Sequence, residues 1–158
     1  MTRKTLLALA AMAIAPAAMS AQTTAAADAN IASERAEILA EQAYIVANQA
    51  ADFSSAASYL REAADLWGTE HASVSALVNA GRFHYYANRK LSAVSALKDA
   101  GETAEQIGDL ATASRAFRDA AWVAAEVGEV PTAVELLERS ESLLATVAIV
   151  ALGQASDN

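Results

Sequence analysis

A small residue, three more, a large apolar one, two more and a second small one make a spacing that recurs along this chain. It occurs at Ala56-Leu60-Ala63, returns at Ala93-Leu97-Ala100, and returns with serine last at Ala133-Leu137-Ser140. Residues three and four apart share one face of a helix. Each triplet is therefore a stripe on which small side chains admit a neighbouring helix while the large one fills the gap between them. A chain carrying such stripes is constrained to fold as packed helices. From Ile31 to about Val147 the rest of the sequence agrees: alanine dominates, β-branched residues are sparse, and the one proline of that span, Pro131, sits where a helix can begin. No stretch alternates as a strand does.

Punctuation cuts the helices. One is expected over 32–50 and a second over 53–67, stopped by Gly68; a third covers 71–87, with Asn88 at the turn. A fourth spans 91–107, with Gly101 able to shorten it and Gly108 after it. A fifth spans 110–127 before Gly128, and the sixth runs from Pro131 or Thr132 to about Ala148. Connections this short place consecutive helices antiparallel.

These paired helices resemble the tetratricopeptide repeat (TPR), a helix-turn-helix unit of about 34 residues. Gly81 of the pair Ala80-Gly81 stands twelve residues before Ala93, the spacing between the family's small slot and its central alanine. Phe117 takes the first large apolar slot of a later unit, Ala120-Ala121 the small pair, and Gly128 the turn before Ala133. Phe53 precedes Ala56 as the family's aromatic does. The units would be about 37–70, 74–107 and 114–147. They depart from the pattern: no tryptophan opens a unit, no proline closes one, Tyr44 stands where glycine is expected, and short insertions separate the units. The resemblance implies an all-α, TPR-like α-solenoid of about six antiparallel helices, or three helical hairpins, over 32–148. It also implies a non-enzymatic adaptor or assembly module for a protein or peptide. An unrelated six-helix bundle is the structural alternative.

The first residues read as a targeting segment. Arg3 and Lys4 make a positive head, 5–15 carry no charge, Pro16 breaks the run, and small residues follow, with cleavage expected after Ser20 and Ala21 as the rival site. The apolar run is shorter than the roughly 20 residues that span a bilayer. The protein is accordingly expected to be exported, periplasmic or secreted, with a flexible polar leader at 21–31 and a C-terminal tail at 149–158. Removing 1–20 leaves nine basic against nineteen acidic residues, a net charge of −10. That surface disfavours nucleic acid. There is no cysteine, so thiolate metal sites and disulfides are excluded.

Catalytic patterns are missing from the sequence: no phosphate-cradling glycine loop, nucleophile elbow or paired-histidine zinc motif occurs. No cofactor or metal is expected. His71 and His84 read as ordinary helix residues, and Glu102/Glu105 and Glu138/Glu141 as solvated faces. The most unusual stretch is 81–90, GRFHYYANRK, which concentrates aromatics and cations in an acidic chain. Under the TPR resemblance the first helix of each unit lines a concave groove. Its slots fall on Glu41, Ile45, Asn48 and Gln49, on Val78, Asn79, Arg82, Tyr85 and Tyr86, and on Arg115, Arg118, Trp122 and Glu126. The expected binding set is Asn48, Asn79, Arg82, Tyr85, Tyr86, Arg115, Arg118 and Trp122. Helical spacing by itself puts Arg82/Tyr85/Tyr86 on one face and Arg115/Arg118/Trp122 on another. Arginine and large aromatics are residue types that anchor interfaces. The competing expectation is that the aromatics are core and the arginines pair with neighbouring acids. The apolar, uncharged segment 143–152 is expected to pack back on the last hairpin, with a homo-oligomer contact as its alternative.

Overall fold

Helix ends in this protein are set by residues that tolerate a left-handed backbone. In the computed structural model, which describes residues 4–156 and the side chains of 25–153, Asn88, Gly108 and Gly128 all have φ between 59° and 84°. After each of them the next amide donates back five residues: Arg89 N to the His84 carbonyl, Asp109 N to Ala104, and Glu129 N to Ala124. This is a closure in which a left-handed residue satisfies carbonyls that the helix end would leave orphaned. At the other ends, the Asp52 and Asp109 carboxylates accept the amides of Ser55 and Thr112, each at 3.0 Å. Side-chain oxygens are preferred at that position because they satisfy the free N–H groups of the first turn.

The result is six helices and, among the described residues, no strand: α1 (Lys4–Ala50), α2 (Phe53–Trp67), α3 (His71–Tyr86), α4 (Lys90–Gln106), α5 (Leu110–Glu126) and α6 (Val130–Ser156). The all-α expectation holds, and the boundaries of α2 through α5 fall within a residue of those read from the punctuation. Gly101 does not shorten α4. Two ends differ. The segment 21–31 is helical rather than a flexible leader, because nothing between Pro16 and Gly68 is a glycine or proline and alanine favours continuation. At the other end α6 runs to Ser156 instead of stopping near Ala148. The expected targeting segment at 1–20 and its cleavage position lie outside the residues whose side chains are described.

The chain divides into two compact units, Met1–Glu34 and Arg35–Asn158. In the first, residues 25–31 are exposed. In the second, consecutive helices pack from α2 through α6, and side-chain contacts also join every other helix. Asn79 of α3 donates to the Tyr44 hydroxyl of α1 at 2.9 Å, and Tyr85 of α3 lies 5.7 Å from Trp122 of α5, centroid to centroid. Arg61 of α2 pairs with Asp99 of α4, and Arg139 of α6 with Glu105 of α4. Odd-numbered helices thus meet one another on one side, and even-numbered helices on the other.

The core is made mostly of alanine. Phe117, Leu60 and Leu136 are the bulky members that are fully enclosed. Alanine allows close helix approach, and two glycines go further. A Cβ on Gly81 would lie 2.7 Å from Leu97 Cγ, and one on Gly101 would lie 2.7 Å from the Phe117 ring. Serines clamp neighbouring helices: Ser114 and Ser140 exchange hydroxyl-to-carbonyl hydrogen bonds of 3.0 and 2.9 Å across α5 and α6, buried on both sides. The starts of α4, α5 and α6 (Lys90, Leu110, Val130) are spaced by twenty residues. From α4 to α6 two helices therefore take forty residues, longer than the roughly 34 of a TPR unit.

Candidate functional site

A row of rings runs along α1, α3 and α5, with Phe53 at the start of α2 set into it. Tyr44 meets Phe83 edge-on at 6.0 Å, Phe83 stacks on Phe53 at 5.9 Å, and Phe53 meets Tyr86 at 5.6 Å. Tyr86 meets Tyr85 at 6.2 Å, and Tyr85 meets Trp122. Centroid separations of this size suit tilted and edge-to-face pairing, which adds to the area these rings bury against each other. The row straddles core and surface, since Phe53, Phe83 and Tyr85 pack partly buried against the core. Tyr86 is 63 % exposed and Trp122 60 %. Large rings held rigid by neighbours, with a face to solvent, are well suited to a partner because little freedom is lost on binding.

Arg82, Tyr85, Tyr86 and Trp122 line one open pocket of about 220 Å³, closed below by Gly81 and Leu97 and flanked by Asp119. Half of the expected set is thereby brought together. The absence of a side chain on Gly81 is what lets Leu97 form the floor. Asn79 sits one turn before Arg82 and accepts its guanidinium at 3.2 Å while donating to Tyr44. It positions the arginine rather than lining the pocket. Arg118 lies apart, in a second and almost wholly apolar groove of about 410 Å³ between α5 and α6, shared with Trp122, Val134 and Leu137. Arg115 turns back along its own helix, its Nε donating to the Ala111 carbonyl at 3.3 Å. Asn48 is exposed on α1, one turn beyond Tyr44, and does not line the pocket.

Electrostatics separate the two sides of the stack. Arg35, Arg61 and Arg139 all pair with carboxylates of neighbouring helices. Among the described residues, Arg82, Arg115 and Arg118 form no ion pair. Acids are nonetheless close: Asp119 stands in the pocket with Arg82, and the charge of Arg115 contributes to holding Asp109 below its ordinary value. At one rim of the pocket Lys90 Nζ sits 2.6 Å from Glu126 Oε1, with the Tyr85 hydroxyl 3.4 Å from the same oxygen. That hydrogen bond pulls Glu126 below the usual carboxylate range and pushes Lys90 up, while desolvation and Glu126 push the Tyr85 hydroxyl up. This latch fixes the ring that stacks on Trp122.

Sequence reasoning missed Asp119, Val123 and Leu97 as lining residues. Helical spacing carries a signal for the first two, since Asp119 lies one turn before Trp122 and Val123 follows it. Leu97 reaches the pocket from α4, which only packing reveals. The apolar segment 143–152 also departs from expectation. Leu143 packs inward and Val147 is half-buried, but Leu144, Ile149 and Val150 are exposed, because α6 continues past the end of its neighbour instead of folding back. Among the described residues no group of three or more His, Cys, Asp or Glu side chains is placed to hold a metal ion, and no helix is long and apolar enough to cross a membrane. Comparison with known proteins returned no relative: no family model matches the chain, and no curated protein matches it.

Proposed function

We propose that this chain is an exported, TPR-like α-solenoid module without catalytic activity that binds an extended segment of another protein across its odd-helix face. One observation carries the reading. A row of rings that ends in the exposed Tyr86 and Trp122 runs beside Arg82, which among the described residues forms no ion pair, in a chain whose net charge is −8. Stacked rings offer apolar contact, and a guanidinium offers paired donors to a carboxylate of the ligand. The forty-residue helical pair departs from the TPR pattern, so the proposal rests on this face more than on the repeat.

A phage-displayed random dodecapeptide library, selected on the protein and re-tested on variants, checks it. Trp122→Ala and Arg82→Ala should abolish enrichment, since truncating a central aromatic or arginine anchor costs about 2 kcal/mol or more, roughly thirtyfold. Arg115→Ala, whose side chain bonds its own helix, should not. Equal enrichment on all variants would refute the reading. Export is tested separately by N-terminal sequencing of the envelope-fraction protein, which should begin near Ala21.

A second reading is favoured by the exposed apolar residues of α6. Leu144, Ile149 and Val150 would join two copies as a structural, self-associating helical protein. Sedimentation at increasing concentration should then show a dimer that Ile149→Glu weakens.

A further inference from the structure

His84 lies in the last turn of α3, only 8 % exposed, and its Nδ1 is enclosed without a hydrogen-bond partner. A buried imidazole nitrogen without a partner carries a desolvation cost when neutral and a much larger one when charged. Its charged surroundings are one-sided. Arg61 of α2 and Arg89 of the α3–α4 turn are the cations that bear on it. Asp99 of α4 is held by Arg61, and Glu126 of α5 is taken by Lys90 and Tyr85. Arg89 is tied in place by its side chain, which donates to Ser54 at 2.7 Å, and by its amide, which donates to the His84 carbonyl at 2.8 Å. The C-terminal end of a helix favours a positive charge, but burial and two guanidinium groups oppose it, so His84 is held below the ordinary imidazole value of 6.5.

We infer that His84 is a pH-sensitive catch: a proton taken up in mildly acidic medium sets a third cation beside Arg61 and Arg89 and loosens the junction of α2, α3 and α4. The element released first is the last turn of α3. That turn carries Tyr85 and Tyr86, so acidification disassembles the aromatic wall of the pocket while leaving the α5–α6 pair closed. The effect on ligand capture rests on the function proposed above; the catch itself does not.

The fold supplies an internal control. The Arg89 amide closes the end of α3 as the Glu129 amide closes the end of α5, each bonded five residues back at 2.8 and 2.9 Å. Amide hydrogen exchange of the full chain at about pH 7.5 and about pH 5.5, with each rate divided by its intrinsic value, reports both ends without any ligand. The ratio of Arg89 to Glu129 protection is expected to fall on acidification, by up to about tenfold per pH unit below 6.5, and to stay constant in His84→Leu. Imidazole NMR of the native chain, with His71→Gln to assign the signals, needs no His84 variant and should place His84 proton uptake below 6.5. A constant protection ratio in the native chain, or proton uptake at or above the free value, would overturn the inference. A protection ratio that falls while the dodecapeptide library enriches nothing would leave the catch standing and remove the proposed ligand.

Discussion

Gly81 is the position at which the pocket and the packing depend on the same missing atom. Replacing it with alanine should help α3 as a helix, because alanine is better than glycine in a helix interior by about 0.5–1 kcal/mol. The new Cβ, however, would stand 2.7 Å from Leu97 Cγ, 2.9 Å from Cδ2 and 3.4 Å from the Ala93 carbonyl oxygen. Leu97 is nearly fully buried, and Cγ is the branch point of its side chain, so the clash is relieved only by moving α4 away from α3. Overpacking of that kind costs about 1–3 kcal/mol. The net effect of Gly81→Ala is a loss of about 1–2 kcal/mol, seen as a fall in Tm of roughly 3–10 °C by circular dichroism. Leu97→Ala alone should cost about 2–5 kcal/mol through the cavity it leaves. In that background the alanine at 81 has room, and Gly81→Ala should turn stabilising by about 0.5–1 kcal/mol. That sign reversal is the decisive result. If Gly81→Ala stabilises the native chain, or costs the same with and without Leu97, then α3 and α4 are not in this contact and Leu97 is not the floor of the pocket.

Gly101→Ala should behave likewise against Phe117, whereas Gly153→Ala, whose Cβ would meet nothing within 4 Å, should gain a few tenths of a kcal/mol in thermal melts. Ser140→Ala removes the hydroxyl that donates to the Ser114 carbonyl but leaves Ser114 Oγ its bond to the Ser140 carbonyl, so it should cost about 1 kcal/mol, and the Ser114→Ala/Ser140→Ala pair, which removes both cross-helix bonds, about twice that in urea titrations. The Asp52 and Asp109 carboxylates are held below their ordinary value by the hydroxyls and amides of Ser55 and Thr112. Their stabilisation is therefore present above about pH 4 and lost as pH falls through their folded values. Asp109→Asn, which keeps an accepting oxygen but no charge, should flatten that acid-side loss without abolishing α5.

Helicity, and nearly every helix end, can be read from the sequence alone because those properties are local. Gly68, Gly108 and Gly128 admit a backbone other residues avoid, Asn88 can share it, and Asp52 and Asp109 cap α2 and α5. The start of α1 escapes such a reading for an equally local reason: composition at 21–31 looks like a leader, yet alanine without a breaker simply prolongs a helix. Half of the pocket is also legible, since Arg82, Tyr85 and Tyr86 share a face by spacing, and Trp122 is placed beside them through the family resemblance.

Packing between helices settles the rest. Spacing puts Arg115, Arg118 and Trp122 on one face, but which way each long side chain turns depends on what stands opposite. Arg115 finds its own helix, Arg118 a groove toward α6, and only Arg82 the pocket. Leu97 enters from another helix altogether, and the Lys90–Glu126 latch joins residues thirty-six positions apart. His84 is the sharpest case. In sequence it is one histidine near a helix end, and burial between α2, α3 and α4 beside two arginines, a property of the packed chain, is what gives its titration a consequence.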